Sequence, residues 1–283
     1  MKLKTNTLWI TISALALVII FVTLIRLQKQ PEYKTPANQA ITTTFYPYYN
    51  FISYLTKDNF VLNNLSSDPK YILVNADQST IDNSSLLIYT GLDADKWLQP
   101  YLDTTKIKTL NLEKTTAISS FSTSSSSTLN TVINASSSPS LIIDTHSKLS
   151  SGLPWLSPHQ MLKNMDLITS WLGYLDNGNR DVFNNNFKEI RTKLIELDNR
   201  YYSSLRQCRT RSFATTNGYM SAVANDYNLD ERLLSIEVPK DIVPLDDFNL
   251  MLKKGNVDDY FQGANDNLAY LINQLGCTTI TKQ

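Results

Sequence analysis

Two histidines, His146 and His159, and two cysteines, Cys208 and Cys277, are all that 283 residues offer of the side chains most used for metal or nucleophilic chemistry. Zinc and manganese are held by neutral imidazoles and carboxylates that converge from different parts of a fold, each giving a lone pair. Two imidazoles are too few for a histidine-rich site. Either could act as a stray ligand beside Asp144 or Asp68, but His146 lies in a loop and His159 just inside a helix start. Surface or capping roles suit both positions better. The cysteines are too far apart for a Cys-x-x-Cys redox pair, and neither a Gly-x-Ser-x-Gly elbow nor a His-Glu-x-x-His pair is present. Eight glycines occur, none in a phosphate-cradling Gly-x-Gly-x-x-Gly or Gly-x-x-x-x-Gly-Lys loop. The chain is not predicted to be an enzyme.

The elements that would position these residues follow from patterning. With 42% hydrophobic and 10% aromatic residues the chain can bury a substantial core, and 26 basic residues balance 26 acidic ones, which argues against nucleic acid as a partner. Leu8 to Ile25 carries no charge and is flanked by Lys2, Lys4, Arg26 and Lys29. Eighteen helical residues span roughly 27 Å, near the thickness of a bilayer core. Residues 1–26 therefore read as a membrane anchor or signal-anchor, uncleaved because Ala14-Leu15-Ala16 lies in mid-run. Residues 27–39, with Pro31 and Pro36, read as a linker.

Beyond it, Ile41–Phe45 suits a strand and Tyr48–Leu55 a helix after Pro47. Leu86–Gly91 is an apolar run ended by glycine, as in a strand buried on both faces of a parallel sheet. Thr109–Leu112 and Leu141–Asp144 suit further strands, and the Ser/Thr-rich stretch 119–138 reads as a solvated loop. From Pro158 to Leu205 the pattern is helical, broken around Asp176–Asn179, with Met161, Met165, Ile168, Leu172 and Leu175 on one face. Past Arg211 the spacing predicts a strand at 212–216, helices at 218–227 and 245–254, a strand at 257–261, a helix at 265–275 and a strand at 278–281. Strands alternating with helices imply a parallel α/β sheet.

Four segments carry a family likeness: Thr43-Thr44-Phe45-Tyr46-Pro47-Tyr48-Tyr49, Asp68-Pro69-Lys70, Pro154-Trp155-Leu156-Ser157-Pro158 and Phe213-Ala214-Thr215-Thr216-Asn217-Gly218-Tyr219. In order and spacing they resemble the zinc/manganese solute-binding proteins of metal ABC transporters, some of which are known as adhesins. The resemblance implies two α/β lobes with parallel sheets, residues 40–157 and 206–283, joined by a long backbone helix region at 158–205. It also places the body outside the cytoplasm, anchored to the cell membrane by a single N-terminal pass, with an ABC permease as partner. The family's closing helix is expected to be missing or reduced. A Cys208–Cys277 disulfide resembles a pairing in some relatives and is permitted outside the cytoplasm, against two buried free thiols. The Phe45–Tyr49 aromatics are expected to pack at the lobe core, with a binding platform as the competing reading.

The same resemblance assigns the metal-ligand positions to Lys70, Leu153, Asn217 and Gln262, the last at the end of a strand Tyr260–Phe261. None is a good ligand for a dication, and Lys70 would place an ammonium there. No cofactor is expected, and zinc or manganese would bind only if these four positions are misaligned. Lys70, Asn217 and Gln262 could instead form a polar pocket for an anion or small polar solute, or the cleft could be closed and the three merely hydrogen-bonded together. The function implied is a membrane-anchored receptor with a degenerate metal site. A surface adhesin and a receptor for a non-metal solute are the alternatives.

Overall fold

In the computed structural model, which describes residues 39–66, 74–91, 93–113, 152–234, 242–245 and 247–278, the β-branched start of the body forms strand β1, Ala40–Phe45, buried along its length. The chain turns at once into helix α1, Tyr46–Thr56, with Pro47 in the first turn, where its missing N–H costs no helical bond. Strand β2 (Val61–Ser66), helix α2 (Asn75–Asp82), strand β3 (Leu86–Tyr89), a 3-10 turn (Asp93–Leu98), helix α3 (Gln99–Leu102) and strand β4 (Lys108–Asn111) complete this lobe. The sheet order is β2-β1-β3-β4 and every pairing is parallel, with Ile41 opposite both Val61's neighbour Leu62 and Leu86. All four residues of β3 are buried, as its unbroken apolar run predicts. Sequence patterning missed β2, an edge strand whose Asn63 and Asn64 give no apolar alternation.

After a 3-10 turn at Pro154–Leu156, helix α4 (Pro158–Leu175) and helix α5 (Arg180–Ser204) pack as neighbours, broken where expected by the turn Asn177–Asn179. Ser157 caps α4 by accepting the Gln160 N–H, and Met161, Met165, Ile168 and Leu172 are fully buried. At about 1.5 Å per residue α5 is roughly 37 Å long. The second lobe holds β5 (Ser212–Thr215), α6 (Ser221–Asp226), β6 (Asp230–Leu233), β7 (Val243–Pro244) and α7 (Val257–Leu275), with a parallel sheet ordered β6-β5-β7.

Three expectations are corrected here. Residues 257–261 are helical: α7 starts at Asn256, whose side chain accepts the Asp259 N–H while Asp259 accepts the Asn256 N–H. This reciprocal cap satisfies two N–H groups that a helix start otherwise leaves open. Residues 247–254 are not a helix but an extended strap, with Met251 at φ 55°. The last described element is the 19-residue α7, where a helix only at 265–275 and then a strand were expected. It ends on Gly276 at φ 62°, a left-handed cap that favours glycine. Thr278 belongs to no strand, and the rest of the expected strand at 278–281 lies outside the described residues.

Cys208 and Cys277 are joined in a disulfide across 69 residues of sequence. Backbone bonds flank it, from Arg209 N–H to Gly276 carbonyl at 3.1 Å and from Thr278 N–H to Gln207 carbonyl at 2.9 Å. The bridge fastens the end of α7 to the lead into β5.

One apolar core runs through both lobes, from Ile41, Phe45 and Leu86 through Trp155 and Leu194 to Phe213, Leu268 and Leu275. The described residues all belong to a single compact unit, Thr35–Gln283. Among them no helix is long and apolar enough to cross a membrane. The proposed anchor, the linker to residue 38, the Ser/Thr-rich stretch, the expected strand Leu141–Asp144, and His146 lie outside the described residues.

Candidate functional site

Leu153 stands at the mouth of the turn that leads into α4, and it is 1% exposed. Its N–H donates to the Tyr219 carbonyl at 2.8 Å, so the segment is pinned to the turn between β5 and α6. Gly152, at φ 56°, makes that approach close: a Cβ there would lie 2.8 Å from backbone atoms of Tyr219, Ser221 and Ala222. Only glycine combines this backbone angle with so little space. Next in sequence, Trp155 is fully buried with its ring 4.7 Å from Phe45 and 6.1 Å from Tyr48. Its indole N–H donates to the Leu250 carbonyl at 2.9 Å, and its own carbonyl accepts the Tyr260 hydroxyl at 3.0 Å. Phe45 and Tyr48 are thus core residues, as the lobe-core reading of the aromatic cluster requires.

Asn217 is half-buried and its Oδ1 accepts the Tyr219 N–H at 3.1 Å, so its amide oxygen serves its own turn. The turn is held chiefly by Glu231, which the sequence did not reveal. Its carboxylate accepts the Thr215 hydroxyl at 2.6 Å, the Met220 N–H at 3.2 Å and the Ser221 hydroxyl at 2.5 Å. Glu231 sits on β6, an exposed charged edge strand without the apolar alternation that marks a strand. Gln262 lies on the exposed face of α7 and donates to Asp266 at 2.8 Å. Its assignment to the end of a strand is therefore corrected: a mid-helix residue bonded four positions along takes its place. Lys70 lies outside the described residues. The structure joins Leu153 to the Asn217 turn and leaves Gln262 to solvent.

The donor set at these positions does not suit a dication. Leu153 has no lone pair, Asn217 is engaged by its own turn, and among the described residues no three His, Cys, Asp or Glu side chains converge. His159 serves elsewhere. Its Nδ1 is 3.2 Å from Asp198, which also accepts the Tyr227 hydroxyl at 2.8 Å. The hydrogen bond to Asp198 raises the His159 pKa against the opposing effect of burial. Asp226, at the end of α6, accepts the Ser157 hydroxyl at 2.5 Å and the Gln160 amide at 2.9 Å, joining the second lobe to the start of α4.

The strap closes the other side. Asn50, on α1 and 5% exposed, donates to the Lys253 carbonyl at 3.2 Å and accepts the Gly255 N–H at 3.1 Å. One amide therefore binds both polar groups of a passing backbone, as a neighbouring strand would. The aromatic ring of Tyr49 lies under the Lys254 ammonium at 5.4 Å.

Two parallel sheets, a long connecting helix and converging turns between the lobes define the solute-receptor fold that the four sequence segments resemble. The chain belongs to the family described as zinc-uptake complex component A, periplasmic, whose model matches residues 41–246. No curated protein matches it in sequence. Similar solved structures include the zinc-bound ZnuA-like domain of AdcA from Streptococcus pneumoniae, 19% identical with a TM-score of 0.59, covering 84% of this chain and 99% of that one. The laminin-binding protein Lmb of Streptococcus agalactiae, described as having adhesin and metal-transporting activity, is 16% identical with a TM-score of 0.60, covering 84% and 99%. The manganese-bound FpvC of Pseudomonas aeruginosa is 13% identical with a TM-score of 0.60, covering 84% and 98%. At such identities the likeness is one of fold.

Proposed function

We propose that this protein is the membrane-anchored, extracytoplasmic solute-binding member of a metal-type ABC transporter, with a degenerate zinc/manganese site and an ABC permease as its partner. The observation that carries the reading is Leu153. At a position where the resemblance calls for an imidazole, the chain has an apolar side chain, 1% exposed, on a segment fastened to the opposite lobe. Lys70, Asn217 and Gln262 do not repair the loss, and the positions of Asn217 and Gln262 argue against a shared polar pocket. The anchor reading rests on the uncharged run Leu8–Ile25.

Two experiments test the proposal. Protease added to intact cells, or to cells stripped of any outer layer, is expected to remove the folded body and leave a membrane-bound stub; a fully protected body would refute the extracytoplasmic placement. Elemental analysis of protein purified after growth with added zinc and manganese is expected to find far less than one equivalent of either, and one tightly held equivalent would refute the degenerate site. A surface adhesin is the second reading, favoured by the adhesin activity described for Lmb. Binding of a matrix protein by intact cells, lost on deletion of this protein, would support it over import.

A further inference from the structure

Strand β3 divides its side chains between two cores, as the alternation of a strand allows. Leu86 and Ile88 belong to the main core, while Leu87 and Tyr89 join a second cluster with Ile81, Leu98 and Tyr101. Helix α2, through Ile81, and helix α3, through Tyr101, pack on that second face of the first sheet. Beside this cluster lies a cavity of about 740 Å³, open to solvent. Gln78 and Asp82, one helical turn apart on α2, line one side of it, and Thr105 and Lys106, on the way to β4, line the other. Trp97 and Tyr101 supply aromatic surface. All of these residues belong to the first lobe, so the cavity has no part in the site around Leu153 and Asn217.

The Tyr101 hydroxyl donates to Asp82 Oδ1 at 2.5 Å and accepts the Thr105 hydroxyl at 3.3 Å. This ties the two sides together and leaves the second oxygen of Asp82 for a ligand. Among the described residues no hydrogen bond or ion pair uses the Gln78 amide or the Lys106 ammonium. Asp82 and Lys106 are the only charged side chains in the lining, one of each sign. A divalent cation calls for several carboxylate or carbonyl oxygens and a phosphate for several cationic or N–H donors, and neither set lines this cavity. What the lining does offer is aromatic surface beside a carboxylate, an amide, hydroxyls and an ammonium, so donors and acceptors stand together with apolar contact.

We propose that this cavity is a binding subsite for a neutral saccharide of one or two rings. A sugar ring presents apolar C–H faces to Trp97 and Tyr101 and, around its rim, hydroxyls that each donate and accept. Asp82 accepts from one hydroxyl, Lys106 donates to another and the Gln78 amide does both. The volume falls in the range of small-ligand sites. A zwitterionic peptide, its ammonium at Asp82 and its carboxylate at Lys106, is the competing occupant. The proposal is independent of the metal-site reading.

The test is saturation-transfer NMR on the full chain, in a detergent without a sugar head group, with maltose, lactose and diacetylchitobiose as probes and the dipeptide leucyl-leucine as the competitor. The expected result is transfer to the ring protons of at least one disaccharide, undisturbed by the dipeptide. In titrations, the double variant Gln78→Ala, Lys106→Ala is expected to keep the wild-type thermal midpoint and to bind that disaccharide about tenfold more weakly, the worth of two hydrogen bonds. Asp82→Asn, which keeps an acceptor for Tyr101, is expected to weaken binding as well. Transfer to none of the three sugars would overturn the proposal, as would undiminished binding by both variants. Displacement of the sugar by the dipeptide would overturn it in favour of the zwitterion.

Discussion

On the proposed reading, position 153 is where one side chain removes a metal ligand from the site while the surrounding scaffold remains. Leu153 is enclosed against the β5–α6 turn with its N–H already taken by Tyr219, so a polar ring introduced there would lack both room and partners. Leu153→His is expected to lower stability by about 2 kcal/mol and to give no zinc-dependent gain in denaturation midpoint; a midpoint that rises with zinc would show that a latent ligand set remains. His159 gives a second prediction at this scale. Its pKa is raised by the Asp198 carboxylate, so its stabilising effect is full below the unfolded value and is lost as pH rises through the folded one. Asp198, whose pKa burial would raise but whose bonds to His159 and Tyr227 bring it below its ordinary value, loses its own contribution only in acid. The pair is partly exposed, which limits the effect to about 1 kcal/mol or less. Denaturant unfolding at about pH 6.5 and pH 8.5 is expected to show wild type losing an advantage over His159→Gln; equal advantages at both pH values would refute the pairing.

At the scale of elements, the two lobes are tied by a few residues that replace regular structure. The strap at 247–254 is held by the Asn249–Asn267 pair, where the Asn249 N–H donates to Asn267 Oδ1 at 2.8 Å and Asn267 Nδ2 donates to the Asn249 carbonyl at 2.9 Å. It is also held by Asn50. Removing the Asn50 amide leaves two buried backbone groups unpaired, so Asn50→Ala is expected to cost about 2–3 kcal/mol. Faster hydrogen exchange at Gly255 and its neighbours would locate the loss, whereas unchanged exchange there would place the cost elsewhere. This strap also explains a misreading of the sequence. Leu245, Phe248 and Leu252 recur at helical spacing, yet they do so because the strap is packed from two sides, not because it coils. By contrast, the start of α7 was legible in the capping pair Asn256-x-x-Asp259 and in Tyr260, Ala264, Leu268, Leu271 and Leu275 at helical spacing. It was missed because the resemblance calls for a strand at that place. Strands β1, β3 and β5 and the α4–α5 pair were readable because each presents a run or face of buried apolar residues, and the edge strand β4 through its β-branched and apolar Thr109 and Leu110. The edge strands β2 and β6 were not, since polar residues on an edge carry no such signal.

For the whole molecule, the fold of the zinc-uptake component A family is present, and the proposed reading is that its ligand positions have lost their donors. The family was legible from four segments because their order and spacing are properties of the fold. The internal fastening was not: Glu231 and Asn50 come from separate elements, and their partners are up to 205 residues away in sequence. A core shared by both lobes and direct bonds such as Leu153 to Tyr219 and Ser157 to Asp226 hold the lobes together through the chain's own side chains and backbone. The most direct test of this account is calorimetric titration of the chelator-treated protein with zinc and then with manganese. No one-to-one binding at submicromolar affinity is expected for either ion. A single submicromolar site would contradict the account and show that this family member gathers its metal with residues other than those at positions 70, 153, 217 and 262.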